Sequence, residues 1–133
     1  MRMTRIITVA ALIVAGAFAQ HPAQAQFAEL KRTNLMQNDL SVPGREAIQV
    51  RVDFPPGAVA AKHSHPGEEL VYVIEGVLEY ELEGKPPIAV KAGEVLFIPY
   101  GTPHAVKNIG SGNAAELATY IVEKGKPLAM QGK

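Results

Sequence analysis

The chain predicts an all-β single domain, a small sandwich or closed barrel of two sheets. Three observations carry that reading. Short runs rich in β-branched and aromatic residues recur from Ala47 to Val122, most gaps between them hold a glycine or proline that turns the chain, and no stretch of the main body shows the 3.6-residue apolar period of a helix. A length of 133 residues leaves room for one core and no second lobe.

The elements follow in order. Met1 to Arg5 carries two arginines, Ile6 to Ala19 is apolar, and Ala23-Gln24-Ala25 is a small-x-small site. Together they read as an export signal over residues 1–25, cleaved before Gln26, which implies a periplasmic or secreted protein. The apolar run is shorter than the roughly 20 residues of a spanning helix, which weighs against an uncleaved anchor, and no membrane contact is expected once the signal is gone. Residues 26–45 form an N-terminal strand or arm, with turn formers at Asn38-Asp39 and Pro43-Gly44. The barrel proper spans 46–123. Its strands are expected at Ala47 to Phe54, Glu69 to Ile74, Val77 to Leu82, Ile88 to Val90, Val95 to Ile98, His104 to Lys107 and Glu116 to Val122. Between them lie Pro55-Pro56-Gly57, Pro66-Gly67, Glu83-Gly84-Lys85-Pro86-Pro87, Tyr100-Gly101 and Gly110-Ser111-Gly112-Asn113. Residues 124–133, with Lys124, Lys126 and Lys133, read as a solvated tail.

Two patterns of apolarity run through these strands. Ala47 to Phe54 and Glu116 to Val122 partly alternate, as a half-buried strand does, whereas Leu70 to Ile74 and Val95 to Ile98 are continuously apolar and are expected to be buried on both faces. Phe97, Leu96 and Ile98 are read as barrel wall, and Tyr72 and Tyr100 as core or rim fillers.

Composition excludes several function classes. Loss of the signal removes Arg2 and Arg5 and no acid, so 13 basic against 13 acidic residues become 11 against 13. A mildly acidic domain offers no footprint for nucleic acid. There is no cysteine, which rules out disulfide scaffolds and thiolate metal sites and leaves nitrogen and oxygen donors.

Chemistry concentrates in two spaced patterns, Gly57-x5-His63-x-His65-x3-Glu69-x6-Gly76 and Gly93-x5-Pro99-x-Gly101-x2-His104-x3-Asn108. They contain every histidine outside the signal; His21 lies within it and has no assigned role. On an extended strand His63 and His65, two apart, point to one side, and Glu69 shares their parity while Glu68 does not. Pro66-Gly67 is able to reset that register through a turn or bulge, and Glu69 is still the better candidate. A barrel would bring His104 against them from another strand. Any one histidine is weak evidence, since most are satisfied surface or core residues; three with a carboxylate in ordered patterns make a mononuclear metal site. Asn108 is read as a hydrogen-bonding residue at a strand end and not as a ligand.

Both patterns resemble the two motifs of the cupin superfamily, with every fixed position present from Gly57 to Asn108 and sixteen residues, Val77 to Ala92, between them. That spacing is similar to small bacterial single-domain cupins. The resemblance implies a jelly-roll barrel in which His63, His65, Glu69 and His104 bind one divalent metal, and it implies a homodimer; exposed edge strands are a physical reason to form one.

Three neutral imidazoles and one carboxylate suit manganese, iron, nickel, copper, cobalt or zinc and do not choose among them. On an octahedral ion they would leave two positions for a small oxygen-rich molecule. The expected function is a metal-dependent enzyme of dioxygenase, isomerase or decarboxylase type, with Glu69 doubling as a base if it leaves the metal. The alternative is a non-catalytic binding protein for a sugar acid, a phenolic or a metal ion. Beyond the ligands the motif region supplies few acids or bases, chiefly Tyr72, Glu68, Tyr80 and Tyr100.

Overall fold

The computed structural model describes residues 29–132, and the expected signal at 1–25 lies outside them. The described residues form ten strands and no helix: β1 (Lys31–Asp39), β2 (Arg45–Phe54), β3 (Val59–Ser64), β4 (Gly67–Glu75), β5 (Val77–Leu82), β6 (Ile88–Lys91), β7 (Val95–Ile98), β8 (His104–Asn108), β9 (Ala114–Glu123) and β10 (Met130–Gln131). Among them no helix is long and apolar enough to cross a membrane.

Two five-stranded antiparallel sheets face each other in a jelly roll, one ordered β1-β2-β9-β4-β7 and the other β10-β3-β8-β5-β6. The core lies between them. Alternation along β9 sends Ala114, Glu116, Ala118, Tyr120 and Val122 inward, opposite Val50, Val52 and Phe54 of β2 and Val71 and Val73 of β4. Leu78, Tyr80, Leu82, Val106 and Val90 close the core from the second sheet.

Strands β5 and β7 coincide with their expected bounds, and the other five expected strands are longer by one to three residues. Strand β1 falls within the strand or arm expected at 26–45, and β3 and β10 are additional. Strand β3 was hidden because Val59 to Ser64 carries little apolar contrast, and β10 is held by pairing Met130 with Ser64 and Gln131 with His63 instead of by its own pattern.

The double burial expected of Leu70 to Ile74 and Val95 to Ile98 is corrected. Val71, Val73 and Ile98 are buried, but Leu70, Tyr72, Ile74, Val95 and Phe97 are exposed, with Val95 at 72% and Phe97 at 56%. Strand β7 is a sheet edge, and no element of the described chain covers the outer face of β4 and β7, so a continuous apolar run here marks an uncovered face. Phe97 therefore faces outward from the wall it was expected to build, Tyr72 lies on the same exposed face instead of in the core or at a rim, and Tyr100 is half-exposed.

One turn residue is set by close approach. A Cβ on Gly67 would stand 1.9 Å from the Ile121 carbonyl oxygen and 2.7 Å from Val122 Cα, both backbone atoms of β9. Neither atom can yield without parting β4 from β9. Gly67→Ala is therefore expected to cost about 3 kcal/mol of stability, read as a lower urea midpoint; an unchanged midpoint would mean that β4 meets β9 differently.

Candidate metal centre

The site is built where β3, β4 and β8 reach one end of the barrel. Strand β8 carries His104 inward, with Val106 and Asn108 on the same face. Asn108 ties that strand down: its Nδ2 donates to the carbonyls of Phe54 and Gly112, both at 2.8 Å, and its Oδ1 accepts from Gly110 N–H at 2.9 Å. That is the hydrogen-bonding role expected of it.

His63 reaches the site through an irregularity. Val59 faces Lys107 and Ala60 faces Val106, yet His63 faces His104, so β3 has one residue more than β8 over that interval. This β-bulge switches the inward parity from Ala58 and Ala60 to His63. His65 lies just beyond the end of β3 and is buried, followed by Pro66 and the Gly67 contact with β9. The two histidines thus converge as expected, but by a bulge and a strand end instead of simple alternation. Glu69 is buried on the inner face of β4, opposite Tyr120, and Glu68 lies on the opposite face of the strand.

The three histidines lie close enough together to hold a metal ion. One nitrogen from each of His63, His65 and His104 falls within 4.8 Å of the others. A cation about 2.1 Å from each nitrogen would be reached by the rings drawing in around it. Glu69 Oε2 is 3.2 Å from both His65 Nε2 and His104 Nε2. Three histidine ring centroids 4.4 to 5.3 Å apart and the Tyr120 ring 4.6 Å from His65 complete the cluster.

Hydrogen bonds determine which nitrogens are free. Nδ1 of His63 faces the Ala61 carbonyl at 2.7 Å, Nδ1 of His65 the Leu128 carbonyl at 2.6 Å, and Nδ1 of His104 the Thr102 carbonyl at 2.9 Å. A carbonyl only accepts, so each Nδ1 carries the proton and each neutral ring presents a bare lone pair at Nε2. Those of His65 and His104 point toward the Glu69 carboxylate, each 3.2 Å from its Oε2. His65 Nε2 and Glu69 Oε2 are buried with no hydrogen-bond partner, an arrangement that only a cation or an added proton satisfies. The residues present therefore fit a divalent metal, and the three-histidine cluster is able to hold one.

Charge tells the same story. Burial pushes the Glu69 carboxyl up, but His104 and His65 outweigh it and hold it down at about 2. Burial lowers the His63 imidazole. At His104 burial also acts downward, yet Glu69 and the Thr102 carbonyl leave that imidazole above its usual value.

Two participants were not foreseen. Glu116 is buried inside the barrel and accepts a hydrogen bond from the Tyr80 hydroxyl. Burial, and next the charge of Glu69, push its carboxyl up to about 8. Both faces of Glu116 to Val122 mix polar and apolar residues, so alternation alone did not tell which pointed inward. The other is Leu128, whose carbonyl holds His65 and whose side chain packs against the core, while Lys124 and Lys126 of the expected solvated tail are exposed. A backbone carbonyl leaves no trace in a sequence.

Several known proteins are similar to this chain in sequence or structure. Germin-like protein 1-1 of Oryza sativa subsp. japonica is 37% identical over 94 residues, covering 62% of this chain and 42% of the relative. The chain thus spans about two fifths of that relative's length. The Oxalate-binding protein of Thermotoga maritima is 28% identical over 95 residues, covering 71% of this chain and 77% of that protein. The solved structure of a recombinant oxalate oxidase in complex with glycolate superposes with a TM-score of 0.62 at 26% identity, over 77% of this chain and 54% of that one. The family described as Cupin domain matches residues 50–125, which contain all four clustered side chains, and the chain belongs to that family.

Proposed function

We propose that this protein is an exported metal-binding cupin in which His63, His65, Glu69 and His104 hold one divalent ion and act on a small oxygen-rich molecule. The observation that carries the reading is a buried, unsatisfied pair beside three imidazoles oriented by carbonyls: His65 Nε2 and Glu69 Oε2 stand 3.2 Å apart, and neither has a hydrogen-bond partner. Export rests on the pattern of residues 1–25 alone. A bound ion would supply Lewis-acid or redox chemistry and a seat for substrate oxygens. The residues themselves do the rest: the carbonyls of Ala61, Leu128 and Thr102 orient the rings, and Glu69 would take up a proton only on leaving the ion.

A dioxygenase, isomerase or decarboxylase type of reaction on a small chelating carboxylate is the preferred activity, supported by relatives whose names carry oxalate. A non-catalytic binding protein is the second reading, favoured by the relative named for binding oxalate. Elemental analysis of the purified protein, followed by oxygen-uptake and product assays with small carboxylates and phenolics, tests both. One equivalent of metal with turnover supports the enzyme, one equivalent with saturable binding and no turnover supports the binding protein, and no metal overturns the reading.

The same reading includes a homodimer. Leu70, Tyr72, Val95 and Phe97 form an exposed apolar face on β4 and β7, the kind of patch that a second copy covers. Light scattering is expected to give twice the chain mass, and a monomer mass would remove the dimer.

A further inference from the structure

We propose that the segment from Lys126 to Gln131 is a working part of the metal centre, its Leu128 carbonyl selecting the His65 tautomer that offers Nε2 to the ion. The inference rests on the metal-binding reading above.

The three orienting carbonyls are not equivalent. His63 and His104 take theirs from Ala61 and Thr102, two residues back along the same chain, so orientation comes with the local fold. His65 takes its carbonyl from Leu128, 63 residues on, at 2.6 Å. Its orientation therefore depends on whether a distant segment is docked.

Three contacts dock that segment. The Leu128 side chain packs against the core, Met130 and Gln131 pair with Ser64 and His63, and Gly132 N–H donates to the Lys62 carbonyl at 3.1 Å. The barrel does not need the segment to close, because β3 pairs with β8 on its other side. The segment is an edge strap laid beside the ligands.

Undocking has a specific chemical consequence. Without the Leu128 carbonyl, the buried His65 ring gains by moving its proton from Nδ1 to Nε2, where Glu69 Oε2 stands 3.2 Å away as acceptor. That tautomer satisfies both orphaned atoms and closes the site to a cation. A docked strap removes the competing arrangement, which is the work second-sphere partners do for metal-bound imidazoles.

The test uses the full chain with Leu128→Gly, which removes the apolar anchor, and Val90→Ala as a core variant on β6 with a stability loss of its own. Two readouts are taken: the His65 tautomer in metal-free protein by 15N–1H correlation, and Co2+ affinity by visible absorption. Leu128→Gly is expected to move His65 toward the Nε2–H form and to weaken Co2+ binding by roughly 10- to 100-fold, while Val90→Ala leaves both as in the wild type. Unchanged tautomer and affinity in Leu128→Gly would overturn the proposal, and so would an equal loss of affinity in Val90→Ala. If the wild type binds no Co2+, the metal reading fails, and the tautomer comparison still decides whether the strap holds His65.

Discussion

Alanine at position 104 is expected to strip the protein of its metal. His104 is 1% exposed, its Nε2 lies 3.2 Å from Glu69 Oε2, and no other described nitrogen faces that oxygen from β8. If roughly 10–16 kcal/mol of binding is shared among four ligands, each ligand accounts for about 3 kcal/mol, which is a loss of more than about 100-fold in affinity. Elemental analysis of wild type and His104→Ala, purified side by side, reads it directly. His104→Gln keeps most of the volume and separates loss of the ligand from a cavity. Wild type is also expected to melt higher with metal, by about 2.7 kcal/mol of stability at a hundredfold excess over Kd, and neither variant should respond. In the same assay Glu69→Gln loses affinity and Glu68→Gln keeps it, because only Glu69 lies on the inner face of β4. Metal retained at one equivalent in His104→Ala, or lost in Glu68→Gln and kept in Glu69→Gln, would refute the ligand set.

The second large effect is a dependence of stability on pH set by Glu116. Its carboxyl is held at about 8 in the folded chain against 4.5 for the free group, by burial and then by the charge of Glu69. Between those values the folded state binds the extra proton, so unfolding releases it and stability falls as pH rises. The stabilisation is fully present below about 4.5 and is lost as pH climbs through about 8. Glu116→Gln keeps a group able to accept from the Tyr80 hydroxyl and cannot ionise. In metal-free protein at pH 9 it is expected to be more stable than wild type by a few kcal/mol, on the order set by 1.4 kcal/mol per pKa unit, with the gap closing toward pH 5. Urea titrations at pH 5, 7 and 9 measure it. Parallel pH profiles for the two proteins would show that Glu116 is not held protonated by the fold.

Much of this architecture was legible before any coordinates. Strands β5 and β7 were readable because each is a short β-rich run between turn residues, and the turn chemistry around them is local. The four clustered side chains were legible because spaced motifs state which donor types recur, whatever the backbone does between them. Elements without contrast were less so: β1 is exposed along its whole length and was expected only as a strand or arm somewhere in 26–45, and β10 is two residues long, so neither carries a periodic signal. The outer face of β4 and β7 misled in the other direction, since an apolar residue is equally apolar against a core, a partner or water.

By itself, then, the sequence determined the all-β class, the order of most strands, and the identity of the candidate nitrogen and oxygen donors, all of which depend on residue type and near-neighbour spacing. Tertiary structure alone decided how those donors meet. The bulge between Ala60 and His63 turns His63 inward, Glu116 becomes a buried acid because of what faces it across the barrel, and the Leu128 carbonyl reaches His65 from the far end of the domain. Bulges, burial and backbone acceptors arise from contacts between segments distant along the chain, and side-chain identity does not encode which segments those are.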